Sequence, residues 1–200
     1  MIDLGPAARE IVRLLDGVGD DLTGPTPCPG YSVAALLDHI MGLSLAFAWG
    51  ARKTPHEERE GDVSAPGKAT AEHLDPRWRE VLPGRLTALA EAWREPGAWE
   101  GMTEVAGVTM PGEMMGIVAL DEVVLHGWDL ARATGQSFTC DPASTEAVLA
   151  FTAATAQPDQ AAGREGLFGP VIEIPGDAPA FDRLLGFAGR DPGWRPAQAA

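Results

Sequence analysis

The chain has 200 residues, 45% of them hydrophobic and 22% charged, the make-up of one folded domain with a sizeable core. Its formal net charge of −14 argues against a nucleic-acid or anionic-membrane partner, since both require a basic surface. Two cysteines, Cys28 and Cys140, are too few for a disulfide framework and suit a reducing compartment.

The N-terminus, MIDLGPAARE, has neither the basic start nor the apolar core of a secretory signal, so a cytoplasmic protein is expected. Residues 3–18 carry Leu4, Ala7, Ala8, Ile11, Leu14 and Leu15 at helical spacing and predict a first amphipathic helix. The Pro- and Gly-rich stretch GPTPCPGYS cannot continue it. Ser32 then suits the N-cap of a second helix over 33–53, with Leu36, Leu37, Ile40, Leu43 and Phe47 toward a core. That helix approaches membrane-spanning length, but Asp38 and His39 inside it favour a buried helix of a bundle.

Residues 54–74 are polar, with runs such as HEEREGD, and predict an exposed, mobile loop whose His56 and His73 have no useful ligand spacing. A third helix is predicted over 75–95, with Pro83 kinking or splitting it. Residues 98–110 hold short alternating runs around Ala106-Gly107, the pattern of a small hairpin. Further helices are predicted over 111–134 and 142–155, the latter introduced by Asp141. A short extended piece and a last helix over 179–188 follow. The expected architecture is mainly all-α, a four-helix bundle with a hairpin and a C-terminal extension. It forms a single domain over 1–200, with the bundle in about 1–160 and a tail over 161–200 packing on it.

The stretch over 121–135, DEVVLHGWDLARATG, carries the chemistry. Glu122 and His126 stand one helical turn apart, on a face shared with Met115, Val118, Ala119 and Leu125. An ionised carboxylate in an apolar stripe requires a partner. Three readings fit: a hydrogen bond between the pair, one of the two pointing out at the edge of the stripe, or a divalent ion held by both. His39, beside Leu36 and Leu43, is either a third ligand from another helix or a core histidine tied to a carbonyl or carboxylate. Asp129, one turn beyond His126, suits a general base or, better, a hydrogen-bond partner behind a ligand. Asp38 and Asp121 are expected on solvated faces. Cys28 is open to a redox or ligand role, or to none. No dinucleotide, P-loop, nucleophile-elbow or C-x-x-C sequence occurs.

Three segments resemble a known family. TPCPGYSVAALLDHI, EVVLHGWDLARATG and FGPVIEIPGDAPAFDRLLGFAGRDPGW are similar to parts of the DinB-like metalloproteins, in the branch of mycothiol-dependent maleylpyruvate isomerase and its short single-domain members. The resemblance implies a DinB-like bundle whose divalent ion, zinc or another such as nickel, is held by His39, Glu122 and His126. It also implies mycothiol or a related low-molecular-weight thiol as co-substrate, acting on an electrophile in a transfer or isomerisation. The characterised isomerase has an additional C-terminal domain at its active site, so the reaction class carries over here rather than the reaction itself. A metal-dependent hydrolase and a non-catalytic metal-binding or stress-related module need the same ligands. The expected partners are small molecules, with a homodimer compatible with the sequence.

Overall fold

The computed structural model describes residues 1–60, 68–160, 164 and 167–196. Helices α1 (Gly5–Leu15), α2 (Val33–Arg52), α3 (Trp78–Ala92) and α5 (Gly112–Ala133) form the bundle. Both α1 and α2 pack on α3 and on α5, which closes a ring in the order α1, α3, α2, α5. The ring interior is filled by Ile11 and Leu14 from α1, Leu36, Leu37 and Ile40 from α2, Leu82, Leu86 and Leu89 from α3, and Met115 and Leu120 from α5. Each such side chain contributes about 1.5–3 kcal/mol by leaving water. Helix α2 is long and apolar enough to cross a bilayer, yet most of it is buried in this ring.

Local chemistry sets the ends of these elements. The Ser32 side chain accepts the Ala35 N–H at 3.2 Å, the expected N-cap of α2. Pro83 lies within α3 without splitting it. Its i−4 partner is Arg79, in the first turn, so the missing N–H leaves only one early carbonyl without an intrahelical bond. A short helix α4 (Pro96–Trp99), not anticipated from the sequence, leads into the expected hairpin. Strands β1 (Met102–Val105) and β2 (Val108–Pro111) pair antiparallel, Val105 opposite Val108. Ala106 and Gly107 have φ of +52° and +83°, the double positive φ of a two-residue hairpin turn that matches strand twist.

Helix α6 (Pro142–Thr155) packs on α5, and a last helix, α7 (Ala180–Phe187), packs on α6. Asp141 caps α6 by accepting the Ser144 N–H at 3.1 Å. The extended piece before α7 forms no strand, but its Ile172 N–H is bonded to the Gly186 carbonyl at 2.9 Å. Of the loop expected over 54–74, residues 61–67 lie outside the described residues. So do residues 161–163, 165–166 and 197–200 of the tail.

Two expectations are corrected. Asp38 and Asp121 do not stand on solvated faces, with 8% and 3% of their surface exposed. A single amphipathic stripe leaves a wet opposite face, but α2 and α5 are each surrounded by neighbours and have little such face left. The Asp38 carboxylate accepts the Thr70 N–H at 3.1 Å, which draws the start of the 68–77 segment onto α2.

Candidate metal centre

Helices α2 and α5 run side by side in the ring, and their facing surfaces bring His39, Glu122 and His126 together. Glu122 Oε2 lies 3.0 Å from His126 Nε2, one turn along the same helix, and 3.4 Å from His39 Nε2 across the interface. The two imidazoles stand edge to face, with ring centroids 4.6 Å apart. All three potential ligand atoms lie within 4.8 Å of one another. Tetrahedral zinc with bonds of about 2.0–2.1 Å sets its ligand atoms roughly 3.3 Å apart, and two imidazoles with a carboxylate are donors such an ion takes. The residues therefore fit a divalent ion in type and in spacing. His56 and His73 stand elsewhere; His56 Nε2 is 3.6 Å from Glu104 beside the hairpin.

His126 is held from behind. Its Nδ1 donates to Asp129 Oδ2 at 3.0 Å, which leaves Nε2 as the nitrogen directed at Glu122. Asp129 is fully buried, and an isolated carboxylate there would be very costly. Its counter-ion is Arg190: Nη2 lies 3.0 Å from Oδ2 and Nε 3.4 Å from Oδ1. Sequence reasoning did not find Arg190. It sits directly after α7, where Gly189 takes φ of +75° and the Arg190 N–H returns to the Leu185 carbonyl at 2.8 Å. That left-handed glycine turns the chain back into the protein. A Cβ at Gly189 would lie 2.7 Å from the Gly169 backbone, so the approach also needs glycine for space.

The electrostatics follow from this chain of contacts. Burial, the largest influence on Glu122, favours its neutral form, but hydrogen bonds from His126 and His39 outweigh it and hold the carboxyl below its ordinary range. Burial likewise disfavours charge on His126, yet the bonds to Asp129 and Glu122 raise its pKa to about 9. Asp129 is drawn below its usual value because Arg190 and then His126 overcome its burial. Asp121 behaves oppositely: burial, reinforced by Glu122, pushes it well above the usual carboxylate range. Its Oδ1 has no hydrogen-bond partner among the described residues.

The segment before α2 forms one wall. The Tyr31 N–H bonds to the Cys28 carbonyl at 3.2 Å across Pro29 and Gly30, and Gly30 has φ of +82°, the arrangement of a type II turn. Thr26 Oγ1 donates to both the Cys28 and Tyr31 carbonyls, at 3.1 and 2.9 Å, and fixes the turn. The two end residues flank the centre on different sides. The Tyr31 ring lies 5.5 Å from that of His39, and Cys28 Sγ falls within 4.8 Å of ligand atoms of His126 and Asp129. Cys28, His126 and Asp129 make a poorer cation site. Arg190 already engages both oxygens of Asp129, and burial followed by the charge of Asp129 pushes the Cys28 thiol up to about 12.

The family model described as the mycothiol maleylpyruvate isomerase N-terminal domain matches residues 4–131. The chain belongs to that family. The stretch matched to the mycothiol maleylpyruvate isomerase N-terminal domain contains α1, α2, α3 and α5 as far as Ala131, with His39, Glu122, His126 and Asp129, and stops short of Arg190. Two similar proteins are uncharacterised protein MT0763 of Mycobacterium tuberculosis (strain CDC 1551 / Oshkosh) and uncharacterised protein Rv0738 of Mycobacterium tuberculosis (strain ATCC 25618 / H37Rv). Each is 28% identical over 172 residues, 86% of this chain and 86% of the relative. Among solved structures, none gives a significant match.

Proposed function

We propose that His39, Glu122 and His126 bind a divalent, zinc-like ion, and that the centre serves a thiol-dependent transfer or isomerisation with mycothiol or a related small thiol. The observation that carries the metal reading is the meeting of both histidine Nε2 atoms on one oxygen of Glu122, at 3.0 and 3.4 Å. Family membership supports the thiol. A bound divalent ion would supply Lewis acidity, lowering the pKa of a thiol in a remaining coordination position so that it acts as a nucleophile near neutral pH.

The protein's own groups have distinct parts in this reading. Glu122 contributes negative charge and His39 and His126 neutral nitrogen, a set that leaves net positive charge on the centre to attract an anionic ligand. Asp129 fixes the ring of His126 and Arg190 neutralises Asp129, so the ligand nitrogen stays aimed without a free buried charge behind it. The apolar packing of α2 and α5 keeps the centre's inner side dry.

Elemental analysis tests the metal. Wild-type protein, His56→Ala and His73→Ala should retain a zinc-like ion, whereas His39→Ala, Glu122→Ala and His126→Ala should lose most of it. Full occupancy in a His39→Ala, His126→Ala double variant overturns the assignment. Cobalt-substituted protein tests the thiol, because thiolate ligation gives an intense near-ultraviolet charge-transfer band. If saturating mycothiol leaves that spectrum unchanged, the thiol-dependent reading falls.

A further inference from the structure

We infer that Tyr31 is the hydrogen-bond donor to the anionic ligand that enters the His39–Glu122–His126 centre from solvent. This rests on the proposed metal centre and goes beyond it by assigning a positioning residue that is not itself a metal ligand. The side chains of His39 and Glu122 are 22% and 23% exposed, against 8% for His126. Solvent therefore reaches the centre along its His39–Glu122 edge, while the His126 side is closed by Asp129 and Arg190. Tyr31 is half-buried, and its ring packs against His39, the more exposed of the two histidines. Burial, and then the neighbouring charges of Cys28, Glu122 and Asp38, raise the Tyr31 phenol above its ordinary range.

The placement is rigid. Tyr31 closes the type II turn that begins at Cys28, Thr26 pins the turn from within, and Ser32 starts α2 one residue later. A residue whose backbone is held on both sides in this way has less freedom to lose when its side chain makes a further bond. No described residue accepts a hydrogen bond from the Tyr31 hydroxyl. A phenol is a neutral donor near pH 7, since its unperturbed pKa is about 10. Such a donor stabilises an anion without adding a competing charge. Packing on His39 alone would need only a ring, and phenylalanine would supply it.

The substitution Tyr31→Phe keeps the ring and removes the donor. In cobalt-loaded protein titrated with 2-mercaptoethanol, the variant should keep its metal and its melting temperature but bind the probe roughly tenfold more weakly, as for loss of a charge-assisted hydrogen bond. The thiolate-to-metal band should also move to lower energy, because a hydrogen bond to sulfur draws electron density from the donor. Equal affinity and an unmoved band overturn the inference and leave the thiol reading intact. If wild type gives no thiol band, azide serves as the second probe, and an azide affinity unaffected by Tyr31→Phe overturns it. Failure of both probes to bind the wild-type cobalt protein removes the proposed open centre and this inference together. Tyr31 is the chain's one tyrosine, which allows a measurement without substitution. Zinc-loaded protein made with 3-fluorotyrosine gives one fluorine resonance, expected to shift on adding the probe that binds; a resonance that stays fixed at saturation overturns the assignment.

Discussion

Arg190 Nη2 lies 3.0 Å from Asp129 Oδ2, the same oxygen that accepts the His126 Nδ1 proton. A tail residue thereby neutralises a fully buried carboxylate on α5. Arg190→Ala should destabilise the protein by about 3 kcal/mol, because an unpaired charge stays buried. Replacing both partners, as Asp129→Asn with Arg190→Met, should recover much of that loss. The double variant should still bind zinc at least tenfold more weakly, since His126 loses its orienting carboxylate. Chemical denaturation and metal titration separate the two effects. A double variant with wild-type zinc affinity would show that Asp129 has no part in orienting His126.

The proton on His126 gives the metal centre a pH dependence of definite sign. In metal-free protein its pKa is raised to about 9 from an ordinary value near 6.5. The stability it contributes is therefore fully present below pH 6.5 and is lost as pH rises through 9. Zinc must displace this proton, so its affinity should rise by up to tenfold per pH unit over that same interval and then level off. Glu122 is held below the ordinary carboxylate range and stays ionised throughout it. Titrations with zinc at several pH values between 6.5 and 9 check this, and a flat profile would refute it.

Gly189→Ala should reproduce part of the Arg190→Ala defect without touching a charge. Alanine at φ of +75° costs about 1–2 kcal/mol, and its Cβ would overlap the Gly169 backbone. Relieving that overlap moves Arg190 away from Asp129. A destabilisation of about 2 kcal/mol, with weaker zinc binding, is expected from denaturation curves and metal titration. Unchanged zinc affinity would mean that the turn is not what delivers the guanidinium.

Both cysteines should resist alkylation. Burial, aided by Asp129, pushes the Cys28 thiol up to about 12, and burial pushes that of Cys140 up to about 11. A free thiol has a pKa of about 8.5, so at pH 8 the native protein should react with iodoacetamide roughly 100-fold more slowly than the unfolded chain. Mass spectrometry of timed samples measures this. Fast labelling of Cys28 in folded protein would contradict the environment described for it.

The sequence made the ring of helices readable because apolar residues in α1, α2 and α3 recur at helical spacing, and because Ser32 and Asp141 cap as such residues do. It also brought forward His39, Glu122 and His126, since polar groups among apolar neighbours stand out in a periodic pattern. What periodicity could not convey is how many sides of a helix are covered. Periodicity for that reason puts Asp38 and Asp121 in water, although both are buried. Arg190 was hidden more deeply, because its contact with Asp129 joins residues 61 apart and no local spacing encodes it. One signal was present: Asp129 shares a face with His126, and a carboxylate sunk there requires a cation. The arginine directly after Gly189, beyond an amphipathic helix, was a candidate to supply it.

The arrangement of Asp129 and Arg190 also sets an order of events during synthesis. At about 5–20 residues per second, a ribosome needs roughly 3–12 seconds to add the 61 residues that separate the two. Until then the helices of the ring can emerge and begin to associate, but the Asp129 carboxylate has no guanidinium. A nascent chain at that stage either leaves Asp129 protonated or holds α5 short of its final seat. A segment made later thus works as a latch on a ring made before it.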